Sequence, residues 1–192
     1  VVAVKEYFPQ RMAVQREDDG SLHPLSTRDE DDFQFGLERF LREARMLASF
    51  DDHPNIVRVR AFFEDNETAY LVMDYYEGRT LDQYVRRQGG RIREGEALRV
   101  AHEVLDGLAA VHEAGVLHRD VDPSNIYIAD EGRVVLLDFG AARAAVGDRT
   151  QTLSVMLKKG YAPPEQYHRQ GDQGPWTRSE ERRVGKECVS EC

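Results

Sequence analysis

The apolar positions of this chain follow two rhythms, and the switches between them mark out the elements. Val1-Val2-Ala3-Val4, closed by Lys5, is a short continuous apolar run of strand type. Phe33, Leu37, Phe40, Leu41, Ala44, Leu47 and Ala48 recur every three or four positions, which predicts an amphipathic helix over 32–50. Acids at 29–32 suit the dipole at its start. The stretch 11–31 is polar, contains Gly20 and Pro24, and is longer than most connections, so it is expected to be a mobile insertion able to serve as a docking surface. Pro54 bars helix in the segment that follows.

Two strand patterns, 56–63 and 68–74, flank Glu64-Asp65-Asn66-Glu67 and predict a hairpin. The stretch 78–87 reads as a short helix with Thr80 as its N-cap. Leu98, Ala101, Val104, Leu105, Leu108, Val111 and His112 predict a core-facing helix over 93–114, stopped by Gly115. Two short strands, 125–128 and 134–137, are expected around the turn Ala129-Asp130-Glu131-Gly132.

Composition narrows the class. The chain has 192 residues, 41% hydrophobic and 32% charged, with a net charge of -9, which fits a soluble globular protein with one sizeable core. Its one basic cluster, 178–186, is interleaved with acids and lacks an aromatic platform, so no nucleic-acid partner is expected. No apolar run is long enough to span a bilayer and no signal peptide is visible, so a cytoplasmic location is expected, with any membrane anchor of the parent protein outside this segment.

The candidate chemistry sits in HRDVDPSNIYIADEGRVVLLDFG, His118 to Gly140. Singly, Asp120, Asn125 and Asp138 read as turn residues on a solvated surface; their ordered spacing is what suggests a site. A short carboxylate on a rigid loop can accept a hydroxyl proton, and an amide oxygen with a second carboxylate makes a hard donor pair for magnesium. The order resembles the catalytic and metal-binding loops of eukaryotic-like protein kinases. VAVKEYFP, FLREARML, HPNIVRV, APPEQY and QGPW are similar to bacterial members of the eukaryotic-like serine/threonine kinases.

That resemblance covers about Val1 to Thr177 and implies an α+β, two-lobed protein-kinase-like fold, with a small antiparallel sheet and one helix over a mainly helical lobe. It implies transfer of the terminal phosphate of ATP to serine or threonine of a protein substrate, with ATP and Mg2+ bound. Asp120 is then the base, Asn125 and Asp138 the metal ligands, and Lys5 the phosphate anchor oriented by Glu43. Met73 controls access behind the adenine; Ala3, Asp74 and Tyr76, with Tyr75, line its site. His118 is expected to brace the loop. Arg119 is expected to collect a phosphate on the activation segment, 138–165, which offers Thr150, Thr152 and Ser154.

Two positions depart from the family pattern. Asp122 stands where a lysine usually meets the transferring phosphate, and Lys158 where a threonine usually bonds the catalytic aspartate. An acid beside incoming ATP is costly, so Lys158 is expected to act as a relocated cation offsetting Asp122. The competing expectation is a nucleotide-binding pseudokinase or scaffold. By the same resemblance, 1–76 is a partial N-lobe with hinge and 77–177 a partial C-lobe, while 178–192, with both cysteines, reads as an adapter-like non-native tail. A fragment without glycine-rich loop or final helices is expected to show weak or no activity by itself.

Overall fold

The computed structural model describes residues 1–9, 12–50, 52–139 and the backbone of 143–144. They fall into two compact units, Val1–Asp52 with Val57–Tyr75, and His53–Ile56 with the chain from Tyr76 onward.

The first unit contains β1 (Val2–Glu6), β2 (Val14–Arg16), β3 (Leu22–Pro24), α1 (Glu30–Ala48), β4 (Val59–Asp65) and β5 (Thr68–Asp74). β5 lies between β1 and β4 and runs antiparallel to both. α1 packs on β4 and β5 and buries Phe33, Leu37, Phe40, Leu41, Ala44 and Leu47. Each large member of that stripe stabilises the unit by about 1.5–3 kcal/mol. The β4–β5 connection is tighter than the sequence suggests, because both strands run up to Asn66 and Glu67. These two residues have φ of 52 and 54, the doubly left-handed turn whose twist matches the flanking strands.

The insertion after β1 contains a hairpin, β2 paired antiparallel with β3, which its sequence did not show. Leu22 is fully buried and its N–H donates to the Asn66 carbonyl at 2.9 Å. Arg16 reaches Glu6 at 2.5 Å, and Ser21 donates twice to Asp19. The polar composition that suggested mobility is used in local pairs, with one apolar residue as the anchor.

The second unit contains β6 (Gly78–Thr80), α2 (Leu81–Arg87), α3 (Glu94–Glu113), β7 (Val116–Leu117), β8 (Ile126–Ala129), β9 (Val134–Leu136) and β10 (Arg143–Ala144). β6, β8 and β9 form one antiparallel sheet in that order, and β7 pairs antiparallel with β10. Thr80 caps α2 through a reciprocal pair with Gln83, its hydroxyl accepting from the Gln83 N–H at 3.3 Å. β6 is invisible in the sequence because Gly-Arg-Thr has no alternation. It lies so close to β8 that a Cβ on Gly78, whose φ is +151, would strike the Ile128 carbonyl.

The core face of α3 follows the expected stripe in part. Val104, Leu108 and Val111 are buried as expected, together with Ala97, Val100 and Gly107, whereas Leu98 and Leu105 are 55% and 36% exposed. The apolar surface of the helix is wider than one stripe, and the buried line is shifted from the expected one. Among the described residues the second unit carries five short strands beside its two helices. No helix among the described residues is long and apolar enough to cross a membrane.

Candidate active site

In the first unit, strand alternation turns Ala3 and Lys5 inward while Val2 and Val4 stay exposed. Lys5 Nζ lies 3.6 Å from Glu43 Oε1 and 6.0 Å from the centroid of Phe40. The lysine side chain is 39% exposed and the glutamate 10%. A half-exposed pair of this kind contributes only about 0.2–1 kcal/mol to stability, so its consequence is the direction it gives the ammonium. Ala3 and Met73 are cross-strand partners in the same sheet. Asp74 donates its N–H to the Arg58 carbonyl at 3.0 Å and accepts from Arg60 Nε at 2.5 Å.

In the second unit, α3 stops at Gly115, whose φ of +72 turns the chain into β7 and then His118. His118 is fully buried. Its Nδ1 accepts from the Asp120 N–H at 3.3 Å, and its Nε2 faces the Leu137 carbonyl at 3.2 Å. A backbone N–H can only donate and a carbonyl can only accept, so the imidazole that satisfies both is neutral with its proton on Nε2. The ring packs on Phe139 at 4.3 Å. One histidine thus ties the loop carrying Asp120 to the chain carrying Asp138.

Asn125 makes the second tie. Its Nδ2 donates to the Asp120 carbonyl at 2.8 Å and to Asp120 Oδ2 at 2.9 Å. Its own carbonyl accepts from the Leu137 N–H at 2.9 Å, which sets Asp138 one residue beyond a direct bond to Asn125. With the amide nitrogen turned to Asp120, the side-chain oxygen remains as the acceptor. Asp138 is exposed and has φ of +54, while Arg119, directly before Asp120, has φ of +67. Left-handed backbone at non-glycine residues costs roughly 1–2 kcal/mol each and persists only where surroundings enforce it.

Asn125 and Asp138 offer oxygen donors of a kind that suits a divalent metal. Among the described residues no group of three or more His, Cys, Asp or Glu could hold a metal. One amide oxygen and one carboxylate suit a hard cation that keeps waters and takes its other ligands from phosphate oxygens.

Asp122 is buried and bonded within its own loop. It is 4% exposed, and its Oδ1 accepts from the Ser124 N–H at 2.7 Å and the Ser124 hydroxyl at 2.5 Å. Its carbonyl accepts from the Asn125 N–H at 2.9 Å. The carboxylate therefore builds the turn that presents Asn125, which weakens the ground for a repelled nucleotide. Lys158, Thr150, Thr152, Ser154 and nearly all of the activation segment lie outside the described residues.

Tyr76 directs its carbonyl to the Tyr127 hydroxyl at 3.2 Å. Sequence reasoning missed the brace behind β9. Asn55 Nδ2 donates to the Val134 carbonyl at 2.9 Å and to Glu103 Oε2 at 3.2 Å, and the same oxygen accepts from the Val134 N–H at 2.8 Å. The available signal was an asparagine after Pro54 together with an acid on the otherwise apolar side of α3.

Comparison with known proteins gives the family. Residues 23–175 match the protein kinase domain family. Serine/threonine-protein kinase PrkC of Bacillus subtilis is 37% identical over 131 residues, covering 68% of this chain and 20% of that protein. Serine/threonine-protein kinase PknL of Mycobacterium tuberculosis is 39% identical over 156 residues, covering 81% and 38%. A solved structure of PpkA-294 in its apo form superposes with a TM-score of 0.67 at 38% identity, over 72% of this chain and 49% of that one. The chain spans less than half the length of these curated relatives. The family as a whole uses ATP and a divalent metal. With the shared fold, the shared motifs and this coverage, the chain belongs to the protein kinase domain family.

Proposed function

We propose that this chain is the catalytic core of a serine/threonine protein kinase that transfers the terminal phosphate of ATP to hydroxyls of a protein substrate. The observation that carries the reading is the grip of the Asn125 amide on Asp120, at 2.8 and 2.9 Å. It holds one Asp120 oxygen and leaves the carboxylate aimed as a unit, which is what a base for a hydroxyl proton requires.

Asp120 accepts the proton of the attacking hydroxyl. Asn125, through its side-chain oxygen, and Asp138 would hold Mg2+. When bound, that ion neutralises charge on the phosphate oxygens. Lys5, directed by Glu43, contacts the inner phosphates, and Lys158 offsets charge near the terminal one. Ala3 and Met73 flank the adenine, while Asp74 and Tyr76 supply backbone groups to it. The reaction takes place in the cytoplasm. The similarity to PrkC and PknL supports the choice of serine and threonine as acceptors.

Magnesium-dependent transfer of labelled phosphate from ATP by the full-length protein tests this. Asp120→Asn should lower the rate by about a hundredfold or more. A variant that keeps the parent rate removes Asp120 from the chemistry and the proposed function with it.

A further inference from the structure

Tyr7 follows Lys5 by two positions and continues the β1 ladder, its N–H donating to the Ala69 carbonyl at 2.8 Å. In extended chain, residues two apart face the same side, so Lys5 and Tyr7 address the same surface of α1. The Tyr7 hydroxyl donates to the Phe33 carbonyl at 3.1 Å. Its ring meets Phe33 edge-on at 5.3 Å and Phe40 at 6.0 Å. A Cβ on Gly36 would collide with the Tyr7 hydroxyl, so the helix supplies a gap for it there. The Thr68 hydroxyl fixes the tyrosine backbone from the other side, donating to the Tyr7 carbonyl at 2.7 Å.

Positions 33, 36, 40 and 43 step by three, four and three, a single line along the helix. Tyr7 grips the first three and Lys5 reaches the last. Sliding or rotating α1 by one position would drive a side chain into the tyrosine ring and carry Glu43 away from the lysine.

We propose that Tyr7 is a positioning residue, a peg seated at Gly36 that sets the register of α1 against β1 and so holds Glu43 beside Lys5. Its consequence for catalysis rests on the phosphotransfer function proposed above; its consequence for the ion pair does not.

The test uses the full-length protein and two readouts. The first is acylation of Lys5 by a small neutral activated ester, whose alcohol leaves as the lysine amide forms, followed by peptide mass spectrometry. Breaking the pair by Glu43→Gln should raise the labelling rate about threefold. Tyr7→Leu and Gly36→Ala should each raise it similarly, and neither should add to Glu43→Gln in the double variant. Tyr7→Phe, which keeps the ring and removes one hydrogen bond, gives a smaller rise and guards against a variant that fails to fold. The second readout is phosphotransfer, where Tyr7→Leu should cost about tenfold in kcat/KM and nothing further when Glu43 is already Gln.

Unchanged Lys5 labelling in folded Tyr7→Phe and Gly36→Ala overturns the proposal, as do effects that multiply with Glu43→Gln. Absent phosphotransfer in the parent, with the labelling pattern intact, supports the peg and removes only the assigned reaction.

Discussion

The side-chain amide of Asn125 donates to Asp120 twice, to the backbone carbonyl at 2.8 Å and to Oδ2 at 2.9 Å. One residue thus fixes both where the aspartate sits and how its carboxylate is turned. Asn125→Ala should lower phosphotransfer by about a hundredfold or more, since it removes a proposed metal oxygen and the aim of the proposed base together. Folding should lose only about 1–3 kcal/mol. Steady-state kinetics beside urea unfolding separates the two effects; a loss of activity explained by unfolding alone would contradict the assignment.

His118 joins the same loop to Leu137, with Asp120 N–H on one ring nitrogen and the Leu137 carbonyl at the other. His118→Leu should destabilise the domain by about 2–5 kcal/mol, because it removes a fully buried ring and takes the partner from a part-buried donor and a part-buried acceptor at once. Nitrogen NMR of the parent should show a neutral ring protonated at Nε2.

Glu67 holds φ of 54 in the two-residue β4–β5 turn. Glycine adopts that conformation without Cβ strain, so Glu67→Gly should raise stability by about 0.5–1 kcal/mol, read as a higher urea midpoint with unchanged slope. A lower midpoint would mean the glutamate makes a contact that offsets its backbone.

The sheet face of α1 predicts an alkaline limit. Burial, and secondarily the charge of Asp32, raises the Tyr7 hydroxyl above the usual tyrosine value. A raised folded value means stability that is complete below the unfolded value of about 10 and declines as pH rises through the higher folded one. Tyr7→Phe should remove its share of that decline. Unfolding midpoints at pH 9 and pH 11 in both proteins measure it.

Lys158→Thr restores the residue usual at that position and removes the cation proposed near the terminal phosphate. Phosphotransfer should fall by about tenfold or more, as for loss of a charge aligned with the transition state. An unchanged rate would leave Lys158 outside the mechanism.

Much of this was legible from spacing. Phe33 to Leu47 declares α1, Thr80 and Gln83 declare the start of α2, and the distance from Asp120 to Asn125 to Asp138 declares the loop. What spacing could not show was the direction of polar side chains. Asp122 looked like a charge in the path of ATP, yet it lies in the turn, bonded to Ser124. The hairpin within 11–31 was not legible because its polar residues pair with each other and with Glu6, contacts that leave no periodic trace. Leu98 looked like core because an apolar helix surface broad enough for two stripes does not say which one is covered.

Gly78 carries a consequence for relatives of this chain. With β6 pressed against Ile128 so closely that a methyl group has no room, and with φ of +151, position 78 admits one amino acid. A homologue bearing alanine there must have moved its β6 outward and lengthened the bonds to β8. The identity of a single small residue therefore reports, without a structure, how tightly the segment entering α2 is drawn onto the strand that follows Asn125.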